Sequence, residues 1–165
     1  MRRLLRQREI VVDEWRYFGE EAPEGVTPEA QAVIVPLTEL RANPQTWEAW
    51  PGRLGLRLAP ADRVEDIAGE LARFAIIAVD FPGPGEGRGY SHARILRTRL
   101  GYKGELRAVN VKRDQLFLLA RAGFDSFDLA PGEDPETAVQ HLQRYTVAYQ
   151  PGAPFPPIER QRFFA

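Results

Sequence analysis

Phe74-Ala75-Ile76-Ile77-Ala78-Val79 runs directly into Asp80-Phe81-Pro82-Gly83-Pro84-Gly85-Glu86-Gly87-Arg88-Gly89-Tyr90-Ser91-His92. The first six residues are apolar without interruption. They lack the polar alternation of a half-exposed strand, as expected of a strand buried on both faces of a parallel sheet. A strand that ends in a glycine-rich turn and then meets a helical pattern is the start of a βαβ unit.

The same rhythm extends to both sides. Ala32-Val33-Ile34-Val35 predicts a strand, followed by a helical stretch from Leu37 to about Trp50 that Pro51-Gly52 breaks. Leu54 to Leu58 predicts another strand, and a helix starting at Asp62 sets Val64, Ile67, Ala68 and Leu71 on one face. Downstream, helices are expected over 91–100, 112–121 and 135–145, with strands at 106–109 and 124–129. Gly101 and Gly123 would close the first two helices, and Asp134 is available to cap the last. Glu9 to Trp15 reads as a short N-terminal strand. The chain of 165 residues suits one domain. The expected fold is α/β, a mostly parallel sheet with flanking helices built from about five βα units. An open three-layer sheet is favoured, with a partial (β/α) barrel as the alternative, since five units are too few for a closed eightfold barrel. Residues 150–165 form a Pro-rich tail with Phe155, Ile158, Phe163 and Phe164 as apolar anchors. It reads as a strap over its own domain, or as an arm for a partner.

Composition narrows the chemistry. The chain has no cysteine, which removes disulfides, thiol catalysis and thiolate-bound zinc or iron–sulfur clusters. A net charge of -1 argues against a dedicated nucleic-acid binder. No run approaches the length of a membrane-spanning helix. Met1-Arg2-Arg3-Leu4-Leu5-Arg6 has no apolar run behind it, so the cytoplasm is the expected location. Lys103 and Lys112 are the only lysines among 22 basic residues. Arginine forks suit carboxylate, phosphate and sulfate-like oxyanions, although a GC-rich genome explains most of the bias.

The loop after Val79 lies where open α/β sheets bind ligands. Gly87 and Gly89 would let backbone N–H groups approach a ligand. Ser91 is expected as helix N-cap, and Arg88, Arg94 and Arg97 would supply charge. Tyr90 either packs its ring or faces the pocket. Asp80 would act as an acid–base, cap the loop or pair with Arg88. His92 is expected at the surface. The next turn brings Asn110, Arg113 and Asp114, with Asp114 a second acid–base candidate and Asn110 and Arg113 binding residues. Gly85-Glu86-Gly87-Arg88-Gly89 is neither a dinucleotide fingerprint nor a phosphate-binding P-loop, so the residues name no cofactor. Asp80, Glu86 and His92 match no metal motif, and no metal site is expected.

Gly87-Arg88-Gly89-Tyr90-Ser91, Ala93-Arg94-Ile95-Leu96-Arg97, Arg113-Asp114-Gln115-Leu116-Phe117 and Gly123-Phe124-Asp125-Ser126-Phe127 carry a resemblance. The chain resembles the bacterial family called domain of unknown function 934, from about Gly52 to Gln150. Members are described as oxidoreductases of sulfite reduction, a description drawn from genes encoded alongside. The resemblance implies a role in assimilatory sulfite reduction, with sulfite reductase as a partner; the small-oxyanion pocket that the glycine loop, the helix start and the arginines predict would then suit sulfite or sulfate. Gly83-Pro84-Gly85-Glu86 departs from the bulkier stretch of relatives, and Ala122 stands where relatives often carry cysteine. Two other functions remain open. One is an independent enzyme on a small anionic metabolite. The other is a non-catalytic interaction module that uses the tail with Trp47 and Trp50, two residues that core packing explains equally well. Oligomeric state is not legible.

Overall fold

The computed structural model describes residues 2–22, 24–83 and 85–143; the tail read at 150–165 and the end of the helix expected to Tyr145 lie outside them. The chain begins with an antiparallel hairpin, β1 (Arg3–Arg6) and β2 (Glu9–Val12). Its turn places Gln7 and Arg8 at positive φ. The strand expected over 9–15 is therefore shorter, ending at Val12, and pairs with an unexpected strand at 3–6; 13–15 crosses away from the sheet edge.

Six parallel strands follow: β3 (Arg16–Tyr17), β4 (Ala32–Pro36), β5 (Arg53–Leu58), β6 (Ile76–Asp80), β7 (Glu105–Val111) and β8 (Ser126–Leu129). The order across the sheet is β2-β1-β8-β7-β6-β5-β4-β3. Every parallel neighbour is thus the next strand in sequence. Right-handed crossovers between consecutive strands place all the connecting helices on one face. This order selects the partial barrel over the favoured three-layer sheet.

Chain length confirms the curl. Val12 ends β2 at one edge, and Arg16 begins β3 at the other. Seven strand spacings of about 4.8 Å would hold the edges of a flat sheet about 34 Å apart, whereas four Cα steps reach about 15 Å at most. The hydroxyl of Tyr17 on β3 also reaches Asp128 on β8, at 3.2 Å, past four intervening strands.

The helical layer consists of α1 (Leu37–Ala42), α2 (Pro44–Glu48), a 3-10 run over Val64–Arg73, α3 (Arg88–Arg94) continuing as a π turn over Ile95–Arg99, α4 (Leu116–Ala122) after a 3-10 turn at Arg113–Gln115, and α5 (Pro135–Gln143). Pro44 lacks an N–H and starts a helix, so the single helix expected from Leu37 to Trp50 is divided at Asn43. Gly123 ends α4 at φ 118°, and Asp134 accepts the Thr137 N–H at 2.9 Å, as the sequence predicts.

The main core fills the space between sheet and helices. Val33, Val35, Leu54, Leu56, Leu58, Ile77, Val79, Leu106 and Phe127 face the helices. Trp15, Tyr17, Ile34, Ile76, Ala78 and Val109 form a smaller cluster on the helix-free face. β6 is therefore buried on both faces, as its continuous apolar run predicts.

Candidate functional site

Strand geometry alternates side chains between the two faces. The residues between the apolar core positions of β5 to β8 therefore point to the helix-free face. Among them are Arg57, Asp80, Glu105, Arg107, Ser126 and Asp128. The register places Asp80, Val109 and Asp128 in one row, at the carboxyl ends of three adjacent strands. That end of a parallel sheet is where α/β proteins gather their sites.

The crossing at 13–17 covers this face and adds polar groups. Asp13 is bound by both terminal nitrogens of Arg107, at 2.8 and 2.9 Å, and both side chains are shut from water. Burial opposes the charge on Arg107, but Asp13, Tyr17 and Glu105 together more than offset it and hold the guanidinium above its ordinary range. Glu105 accepts from Ser126 at 2.5 Å and from Arg6 at 2.8 Å. Two guanidinium carbons lie over the Tyr17 ring, Arg2 at 4.5 Å and Arg57 at 5.1 Å from its centroid. Arg2 pairs with Glu20, which also accepts the Tyr17 N–H at 2.8 Å.

Arg57 donates through Nε to both oxygens of Asp80, at 2.9 and 3.0 Å. Its two terminal nitrogens bond no described residue. One edge of the guanidinium is thus anchored and the other is left as a planar pair of donors, the geometry that binds an oxyanion bidentately. Burial pushes the Asp80 carboxyl up from its ordinary range, against the pull of Arg57. Burial also raises Asp128, against Arg2, Tyr17 and Arg107. The same cause raises the Tyr17 hydroxyl, which therefore stays protonated and donates.

Of the residues read from the glycine loop, Asp80 alone joins this cluster, through Arg57 rather than Arg88. Arg88 is exposed, 3.9 Å from Glu86. Helix α3 starts three residues earlier than expected. Gly87 is its N-cap, and the Glu86 carboxylate accepts the Arg88 N–H at 3.1 Å, so the chain supplies its own anion to the helix start. Ser91 is therefore not the cap; it is an exposed residue inside the helix, and Arg94 is likewise exposed. Gly89 is required by packing, since a Cβ there would lie 2.4 Å from Phe81 Cζ. Tyr90 packs edge-on to Phe81 at 5.5 Å; burial raises its hydroxyl, with a smaller push from the charge of Asp114. Asn110 sits at the β7 bulge with φ 63° and donates to the Phe81 carbonyl at 2.9 Å. Arg113 and Asp114 are exposed.

Other expectations are corrected. His92 is buried, not at the surface; burial lowers its basicity, and its Nδ1 bonds no described residue. Arg97 lends no charge to the loop. It ties the amino ends of β7 and β8, binding the carbonyls of Gly123, Tyr102 and Gly104 and the Asp125 carboxylate. Trp47 is buried between Phe18 and Trp50. An open groove of about 410 Å³ lies beside the two tryptophans, with Arg53, Arg73 and Phe74 on its walls. Among the described residues, no helix is long and apolar enough to cross a membrane.

The sequence reading missed Arg57, Arg107, Asp13, Tyr17 and Arg2. A signal for three of the cluster's members was present. Arg57 lies between Leu56 and Leu58, Arg107 between Leu106 and Ala108, and Asp128 between Phe127 and Leu129. A lone charge within an apolar strand, flanked by core positions, marks the opposite face as polar and occupied.

Fold and site together define a partial (β/α) barrel with an arginine–carboxylate cluster on its helix-free face. A family model described as "Bacterial protein of unknown function (DUF934)" matches residues 55–157, and the chain belongs to this family. No curated protein matches the chain. The matched stretch contains Arg57, Asp80, Arg107 and Asp128, whereas Arg2, Asp13, Tyr17 and Glu20 precede it.

Proposed function

We propose that the protein binds a small oxyanion on the helix-free face, at Arg57, and that this binding serves assimilatory sulfite reduction. One observation carries the first half. Arg57 is anchored by Asp80 through Nε, stacks near Tyr17, and keeps two donors without a described partner. A preorganised guanidinium loses little freedom on binding, so more of its interaction energy appears as affinity. The glycine loop fits less well, because Glu86 already occupies the start of α3. The sulfite setting rests on family resemblance, and within it the protein would assist sulfite reductase by docking, by electron delivery or by handling sulfite.

Titration calorimetry with sulfite, sulfate and acetate tests the first half. The wild type should bind the sulfur oxyanions. Arg57→Gln should weaken binding about tenfold to a hundredfold, the value of a charged hydrogen bond. Equal affinity in the two proteins would remove Arg57 from the site. The setting is tested by deleting the gene. Growth should fail on sulfate or sulfite and persist on cysteine; normal growth on all three would end the sulfur reading. A flavin-like absorbance band in the purified protein would favour electron delivery.

The burial-raised carboxyls favour a second reading, an independent enzyme on a small anionic metabolite. Asp80 would then serve as acid–base, since a carboxyl moved toward neutrality exchanges protons more readily.

A further inference from the structure

On the helix-free face, Arg2, Arg6, Arg57 and Arg107 stand against Asp13, Glu20, Asp80, Glu105 and Asp128. Among the described residues of this cluster, four guanidiniums face five carboxylates; Arg53 and Glu14 beside it pair with each other and leave the balance unchanged. Fully ionised, the cluster has an excess negative charge and repels an incoming anion. Four of the carboxylates have close cations. Asp13 has Arg107 at 2.8 Å, Asp80 has Arg57 at 2.9 Å, Glu105 has Arg6 at 2.8 Å, and Glu20 has Arg2. Asp128 is the exception. Among the described residues its one ion-pair contact is Arg2 Nε at 4.0 Å, and Arg2 is already engaged by Glu20 and, at 3.5 Å, by Asp13. The shorter contact holding Asp128 is the hydrogen bond donated by Tyr17 at 3.2 Å. Asp128 also occupies the same row as Asp80, one strand beyond Val109, so an anion held on Arg57 lies on the face that Asp128 lines.

We propose that the site takes up its anion together with one proton from solvent, and that Asp128 is the group that accepts this proton. The inference rests on the anion site at Arg57. The step forms one O–H bond on the Asp128 carboxyl and breaks none within the anion. It removes the excess negative charge and converts an acceptor on the same face into a donor. The groups facing Asp128 are Arg2 just before β1, Asp13 from the crossing, Tyr17 from β3 and Arg107 from β7; Asp80 shares its row from β6. Burial already raises the Asp128 carboxyl, the direction this coupling requires. The ligand class is a small oxyanion without a bulky neutral body, bound more tightly as pH falls.

Sodium sulfate is the probe, because it stays a dianion from neutral to mildly acidic pH and any proton taken up is the protein's. Calorimetry of the full chain in buffers of different ionisation enthalpy counts the protons. We expect uptake approaching one proton per sulfate, with affinity rising by up to about tenfold per pH unit of acidification. Asp128→Asn should bind sulfate with no proton uptake and a flat pH dependence. Uptake unchanged in Asp128→Asn would overturn the assignment. Wild-type binding without proton uptake would overturn the coupling and leave the anion site standing. No binding by the wild type at any pH would overturn the anion site and the coupling together. Should Asp128→Asn fail to fold, the wild-type proton count decides the coupling, and Tyr17→Phe, which removes the hydrogen bond held by the charged Asp128, decides the assignment: its sulfate affinity should fall off at a higher pH than the wild type's, and an unshifted pH dependence would overturn it.

Discussion

Removing the Asp13 carboxylate tests how the crossing segment is held over the sheet. Asp13→Ala leaves the Arg107 guanidinium, 0% exposed, without its bidentate partner. Breaking a buried pair by deleting one member costs about 3–5 kcal/mol. The lower end applies here, because Arg107 keeps Glu105 and Ser126, each at 3.4 Å. The bond from the Trp15 N–H to Asp13, at 3.1 Å, is lost as well. We therefore expect a loss of about 3 kcal/mol, a large share of the 5–15 kcal/mol typical of a domain. Urea denaturation measures it directly. Arg107→Met should cost a similar amount, since it strands Asp13. The double replacement Asp13→Leu with Arg107→Met should recover most of the loss, because an apolar pair of similar volume needs no desolvated charge. A loss below about 1 kcal/mol in Asp13→Ala would mean that water reaches the pair, and the crossing would then not be pinned as described. The crossing carries Tyr17 into place against Arg2 and Arg57, so Asp13→Ala should also weaken sulfite binding. Full affinity in a destabilised variant would separate the pin from the site.

Gly89→Ala should destabilise by about 1–3 kcal/mol in thermal or urea unfolding, because its Cβ would meet three ring atoms of Phe81 at 2.4–2.9 Å; a neutral result would show that the ring can swing aside. Ser91→Ala should leave sulfate affinity unchanged in calorimetry, the hydroxyl being exposed in mid-helix; a tenfold loss would return the anion to the glycine loop. Arg97→Met should cost about 2–4 kcal/mol in urea unfolding, since it strands three carbonyls and the Asp125 carboxylate at the amino ends of β7 and β8. His92 contributes an acid sensitivity. Its basicity is lowered by burial, against the Asp62 backbone and the charges of Asp62, Glu65 and Glu86. A depressed folded value means the native state binds fewer protons than the unfolded chain, so this stability is present above the ordinary histidine range and is lost as pH falls through it. Comparing urea midpoints at neutral and mildly acidic pH, the wild type should lose more than His92→Gln; equal losses would place water at Nδ1.

Much of the fold is written locally. The apolar run of β6 requires cover on two faces, because neither face offers a polar group to water. Gly123 at the end of α4 and Asp134 at the start of α5 are read from neighbours one to three residues away. The place of Asp80 at a strand end follows from the same short-range pattern. Local signals failed where two conformations compete within a turn. Glu86 captures the Arg88 N–H and starts α3 early, which moves Ser91 from cap to interior. Asn43 and Pro44 divide a helix that periodicity alone would continue.

By itself the sequence determined the alternation of strands and helices, the burial of the central strand and the place of Asp80 at the carboxyl end of that strand, because each depends on residues within a few positions of one another. Tertiary structure alone decided the rest. Nothing local specifies that consecutive strands lie side by side, or that three residues after Val12 draw the two sheet edges together. That closure brings Asp13 to Arg107, 94 residues away, and Tyr17 to Asp128, 111 residues away. A charged residue in a strand looks solvated until the opposite wall is known. Curling the sheet supplies that wall, and the same side chains become a buried cluster of arginines and carboxylates.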